Sequence, residues 1–236
     1  MTETIRSPSS EIRAAFEQWL ASEYRAGTRL VVLEGHMQSG KTTLTKEPFV
    51  LDAGPSLNLE LDDFRKQPIP EIAYIDTIDR TALANRLRVA LASAPVVIVQ
   101  GAIAWPLVEP IAPAVGHGGI RRVYLKRMMR NKPDFWVDED FICDPALLPS
   151  HEPRRSIHLY QAEQRPWLSA DLVLERIEEG TPLVRSQLLK AMQRTFPCDV
   201  LQKVCGQRLR IGEHRTSSSS QAIKTCTGHY KPQFQF

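Results

Sequence analysis

No apolar run in the 236-residue chain approaches the roughly 18 residues that a membrane-spanning helix needs. The opening Met1-Thr-Glu-Thr-Ile-Arg also lacks the charged-then-apolar order of a secretory signal. A soluble, cytoplasmic protein with no membrane partner is the expectation. The four cysteines, Cys143, Cys198, Cys205 and Cys226, include no pair at CxxC spacing. Zinc and thioredoxin-like sites therefore have no support, and reduced, unpaired thiols are expected. There is no internal repeat. Aromatics are absent from most of the basic tail: nine Lys/Arg against two Asp/Glu follow residue 180, yet Tyr230 is the first aromatic after Phe196. Without interleaved aromatics, nucleic acid is not the expected partner of that tail. The body before it carries 21 Lys/Arg against 25 Asp/Glu.

What is present is an ordinary globular balance, 42% hydrophobic and 24% charged, enough to bury the core of one α/β domain. Ser10 is placed to cap a helix from Glu11, with Ile12, Ala15, Phe16, Trp19 and Leu20 on one face and Gly27 at its end. Residues 30–33 read as a buried parallel strand. A helix follows near Gly40, and Pro48 must end or bend it early. Residues 57–61 read as a second strand, running into Asp62-Asp63-Phe64. Asp79 or Thr77 caps a helix to about Ala92, with Leu83, Leu87, Ala90 and Leu91 inward. The β-branched residues 96–99 form a third strand. Residues 122–125 are a fourth, and 171–175 a fifth that also suits a helix start. Alternating strands and helices predict an α/β fold, a five-stranded parallel sheet with helices on both faces. Residues 127–165, rich in Pro, Arg and Asp, read as a partly helical lid over the site.

The chemistry-bearing segment is Gly35-His36-Met37-Gln38-Ser39-Gly40-Lys41-Thr42, a complete GxxxxGK(S/T) loop directly after an apolar strand. The glycines let the backbone wrap phosphates, and successive N–H groups form an anion nest at a helix start. Lys41 is expected on the β- and γ-phosphates and the Thr42 hydroxyl on Mg2+, with residues 35–43, Thr43 included, holding ATP. Asp62 and Asp63 end the second strand, where ligands of a parallel sheet gather. One of them is a candidate base for an attacking hydroxyl. Gln100, at the end of the third strand, has no charge to give a metal but can bond a magnesium-held water. Of Arg121, Arg122, Arg127 and Arg130, the last two are candidates to close on the transferred phosphoryl group. His36 and Gln38 are expected to line the loop. His117 and His158 read as structural.

These segments resemble the uridine kinase / nicotinamide riboside kinase group of P-loop kinases, which includes phosphoribulokinase and pantothenate kinase. Residues 30–44 are similar to its first strand and phosphate loop. Leu59-Glu-Leu-Asp-Asp-Phe64 resembles its Asp-x-Phe segment, which implies a base at Asp62, with Asp63 second. Residues 96–103 resemble a strand that ends there in Glu-Gly, here Gln100-Gly101. Residues 122–125 and 166–174 resemble its last two strands. The resemblance implies a three-layer P-loop NTPase fold at 28–180 with the lid at about 127–165. A helix at 1–27, a helical extension at 181–211 and a disordered basic tail at 212–236 complete the expected organisation. The implied function is ATP-dependent phosphorylation of a hydroxyl on a nucleoside or similar small metabolite. Thr42, Asp62 and, through water, Gln100 would hold Mg2+. Asp63-Phe64-Arg65 with Pro68 also resembles the Asp…Arg…Pro pattern of zeta-type toxin kinases. An antibiotic-modifying kinase, a weakly hydrolysing nucleotide-binding regulator and a nucleic-acid end kinase stand as further alternatives. The oligomeric state is not legible.

Overall fold

A computed structural model describes residues 2–66, 71–114, 119–130, 135–137, 142–143 and 148–178. The extension and tail expected beyond residue 180, Pro68 and His117 lie outside the described residues. The chain runs β1 (Glu3–Pro8), α1 (Ile12–Arg25), β2 (Leu30–Glu34), α2 (Lys41–Leu44), β3 (Val50–Leu51), β4 (Gly54–Pro55) and β5 (Leu57–Glu60). It continues α3 (Arg80–Ser93), β6 (Val97–Gly101), α4 (Trp105–Val108), β7 (Ile120–Arg130), β8 (Phe135–Val137), α5 (Arg154–Gln164) and β9 (Leu172–Glu178). The main sheet has the order β1-β9-β7-β2-β6-β5. All neighbours on that path are parallel, and β8 adds antiparallel to the end of β7.

Residues alternate between the two faces of this sheet. Leu30 and Val32 of β2, with Val97 and Val99 of β6, pack against Leu83, Leu87 and Ala90 of α3, Leu107 of α4 and Ile157 of α5. Val31, Leu33 and Ile98 face the other way, onto Ile12, Phe16, Trp19 and Leu20 of α1. Helices therefore cover both faces, as expected, and the α/β class stands. No helix among the described residues is long and apolar enough to cross a membrane.

The sheet has seven strands, not five. The extra β1 is a polar edge strand whose register runs from Glu3 opposite Leu172 to Pro8 opposite Ile177. Edge strands carry charge and so lack the apolar signature of interior ones. The segment before residue 28 is thus a strand and a helix of the sheet domain, not a separate helix. Ser10 does not cap α1, whose first residue is preceded by Glu11 without a side-chain cap. Asp79 does cap α3, its carboxylate accepting from Ala82 N–H at 2.9 Å. The expected lid is also redrawn. Its first residues continue β7, because β9 runs alongside through Met129 opposite Glu178. Its last third is α5, packed on the core through Ile157.

Glu34 ties the parts around β2 together. Its side chain is buried, and one carboxylate oxygen accepts from Ala104 N–H at 2.9 Å, Trp105 N–H at 3.0 Å and Tyr160 O–H at 2.9 Å. The Arg122 guanidinium lies 3.6 Å from the other oxygen and stacks over the Trp105 ring. Removing this carboxylate strands the half-buried Arg122 cation and three donors. Glu34→Ala should lower unfolding free energy by about 3 kcal/mol or more, measured by urea titration. A loss under about 0.5 kcal/mol, the level of ordinary surface changes, would show that water replaces these bonds freely.

Candidate active site

β2 is flanked by β6 and β7, and the chain crosses over it between those two strands. The carboxyl ends of β2 and its neighbours therefore border a switch point, where parallel sheets bind ligands. The loop Gly35–Thr42 leaves β2 at this place. Its two glycines are each required by contact or backbone angle. A Cβ on Gly35 would meet the Leu125 carbonyl oxygen of β7 at 2.5 Å. Gly40 has φ +99°, the left-handed region that glycine favours. A Cβ there would also sit 2.6 Å from the Arg176 guanidinium.

The helix after the loop is a single turn, shorter than the phosphate-loop reading wants. Glu47 precedes Pro48 and is thereby steered away from helical angles. Arg13 of α1 receives the freed carbonyls, donating to Leu44 O at 2.5 Å and Glu47 O at 3.0 Å. Dipole support for an anion is thus limited to the N–H groups of one turn. Lys41 Nζ donates to Gly35 O at 2.8 Å, His36 O at 3.0 Å and Ser39 Oγ at 3.4 Å.

A cleft of ≈ 360 Å³ gathers Met37, Gln38, Lys41 and Thr42 from the loop, Glu60 and Asp62 from the end of β5, and Gln100 from β6. Arg65, Tyr74 and Arg154 line it as well. The structure thus brings Lys41, Thr42, Asp62 and Gln100 together. Asp63 instead opens on an adjoining cleft with Thr45, Lys46 and Asn58. Asp62 Oδ1 accepts from Tyr74 O–H at 3.0 Å, and the Arg65 guanidinium lies 3.9 Å from it. Burial, with the Asp62 carboxylate next in effect, pushes the Tyr74 hydroxyl well above its ordinary value, so it stays a donor.

Several expected residues sit elsewhere. His36 and Ser39 turn into the interior, and Thr43 is exposed. Arg121 pairs with Glu23 at 2.6 Å, and Arg122 with Glu34, so both hold the fold. Arg127 is half-buried on β7 near His36 and does not line the cleft. The side chain of Arg130 lies outside the described residues. His158 is buried on α5, with its ring centroid 6.0 Å from that of His36.

Two site residues escaped the sequence reading. Glu60 accepts a 2.7 Å bond from the Thr42 hydroxyl. Arg176 of β9 lies against Gly40 and pairs with Glu178 at 2.5 Å. Alternation along residues 57–61 offered a signal for Glu60, since it points the same way as Asn58 rather than the core residue Leu59. Nothing local signalled Arg176.

His36 is held down to about 3, first by burial and then by the positive charge of His158, Lys41 and Arg127. Its folded value lies below the unfolded ~6.5. The stability it contributes is therefore present above about pH 6.5 and lost as pH falls toward 3, because the unfolded chain takes the proton first. Urea titrations between pH 7 and pH 4 should show a decline of up to about 1.4 kcal/mol per pH unit from this group. His36→Gln should flatten that decline. A slope identical in the variant would assign it to other groups.

No family model, curated protein or solved structure matches the chain.

Proposed function

We propose that this chain is a cytoplasmic ATP-dependent phosphotransferase with a P-loop NTPase fold, acting on a hydroxyl of a nucleoside or similar small metabolite. One observation carries the reading: Lys41, Thr42, Glu60, Asp62 and Gln100 border one cleft at the carboxyl ends of three adjacent strands. Lys41 and the loop N–H groups would hold the phosphates. The donor set suits Mg2+, which takes one or two carboxylates beside substrate phosphates and water. Thr42 and Glu60 offer oxygens, and the buried Gln100 Oε1 has no hydrogen-bond partner and would accept from a metal-held water. When bound, Mg2+ neutralises charge on the β- and γ-phosphates. Asp62, held by Tyr74, faces the cleft as base for the acceptor hydroxyl.

A phosphotransfer assay over a metabolite panel with Mg·ATP, with Lys41→Ala as control, tests this. ATP that is bound but not consumed across the panel would instead make the chain a nucleotide-binding regulator. The 3.9 Å approach of Arg65 to Asp62 favours a second reading, a toxin-like kinase acting on a nucleotide sugar. The cleft volume favours the smaller acceptor, since it lies at the low end of ligand pockets, roughly 300–1,000 Å³. Labelled ATP offered with nucleosides and with UDP-sugars separates the two.

A further inference from the structure

Gln100 stands where the metal's acid is expected, and that acid has a structural replacement one strand away. We propose that Glu60, at the end of β5, supplies the carboxylate of the Mg2+ site that β6 leaves to Gln100. This rests on the loop being the ATP site proposed above. Three observations converge on it. First, β5 and β6 are parallel and in register with Glu60 directly opposite Gln100, so both side chains leave the same face at the same level of the sheet. Exchanging one position for the other moves a carboxylate sideways by about 4.8 Å, the strand spacing. Second, Glu60 Oε1 holds the Thr42 hydroxyl at 2.7 Å, and this is the hydroxyl that the loop offers to a metal. Third, Gln100 is 4% exposed and its Oε1 has no hydrogen-bond partner. A buried acceptor left so is costly. A metal-held water is purely a donor and would satisfy it.

The two side chains then divide one task. Glu60 brings the charge, and Gln100 orients the water between metal and sheet. Asp62 is left to its own partners, Tyr74 and Arg65, and to the acceptor. If Glu60 served only to fix the Thr42 hydroxyl, its charge would be a liability beside the phosphates of a nucleotide. Metal-free nucleotide would feel that repulsion, and bound Mg2+ would reverse it.

That sign reversal is the test. ADP is titrated calorimetrically into the full chain, with Mg2+ and with a chelator. In the wild type Mg2+ should tighten ADP. In Glu60→Gln the tightening should fall by about 10- to 100-fold, while ADP without metal binds as well as to the wild type or better. Gln100→Glu added to Glu60→Gln should restore the tightening, because it returns the acid to the neighbouring strand. Full Mg2+ enhancement in Glu60→Gln would overturn the proposal. So would an equal loss with and without metal, which marks a structural role, or a double variant no better than the single one. The loop reading fails separately, if ADP binds the wild type in neither condition.

Discussion

Lys41→Ala is expected to lower kcat/KM for phosphotransfer by about 10²–10³-fold or more, the scale of losing one aimed donor in a site where charge develops. The ammonium lies on two loop carbonyls, Gly35 O at 2.8 Å and His36 O at 3.0 Å. It is held inside the loop's curve, where phosphate oxygens would compete for it with full charge against the carbonyls' partial charge. Both kinds of bond are charge-assisted through the ammonium, but a phosphate oxygen adds ion–ion attraction, so the exchange favours the phosphate. Arg is no substitute, because its rigid fork cannot occupy the point where a compact ammonium reaches several oxygens. Lys41→Arg should therefore recover little of the loss. The same substitution leaves Gly35 O and His36 O without their donor, so a thermal melt must accompany the kinetics. Full transfer by Lys41→Ala would remove the loop from the chemistry. A loss that tracks a collapsed melting temperature would say nothing of phosphate, and Lys41→Met, which keeps the stem, then carries the measurement.

The interior of the sheet was legible because each interior strand buries both faces. Residues 96–99 are apolar without interruption, and Val97, Ile98 and Val99 are fully buried. The parts that were not legible depend on partners far away in sequence. β1 is polar because it is an edge, and its Arg6 answers Glu175 at 2.6 Å, across most of the described chain. Residues 122–125 read as the whole fourth strand and Arg127 as the start of the lid, yet β7 continues through Lys126 and Arg127. Lys126 is buried, 4.0 Å from the Glu175 carboxylate on β9. Charge inside a strand is tolerated when the neighbouring strand supplies the counter-charge, and no local pattern reveals that. The candidate site divides the same way. The loop and Asp62 are contiguous motifs and so are legible without the fold. Glu60 stands opposite Gln100, and Arg176 approaches Gly40, only through strand pairing, which no local motif reveals.

Asp62→Asn should leave the nucleotide half of the site intact and remove transfer by about 10²–10⁴-fold, the range of a positioned general base. The separation of roles makes this a sharp expectation. Glu60, not Asp62, holds the Thr42 hydroxyl, whereas Asp62 is held by Tyr74 and approached by Arg65. Asn keeps the oxygen that accepts from Tyr74, so the local geometry survives while the capacity to take a proton is lost. Calorimetry should thus find Mg·ADP affinity within about 2-fold of the wild type, since only the remote charge changes and water screens it. A parallel loss of nucleotide affinity would place Asp62 on the metal instead. Tyr74→Phe tests the positioning separately. The hydroxyl takes no part in the proton transfer, so its loss should cost about 10-fold in kcat, near the 1.4 kcal/mol of one hydrogen bond, with little change in KM for ATP. A Tyr74→Phe variant as impaired in the phosphotransfer assay as Asp62→Asn would mean that the tyrosine, not the carboxylate, is the group that meets the acceptor.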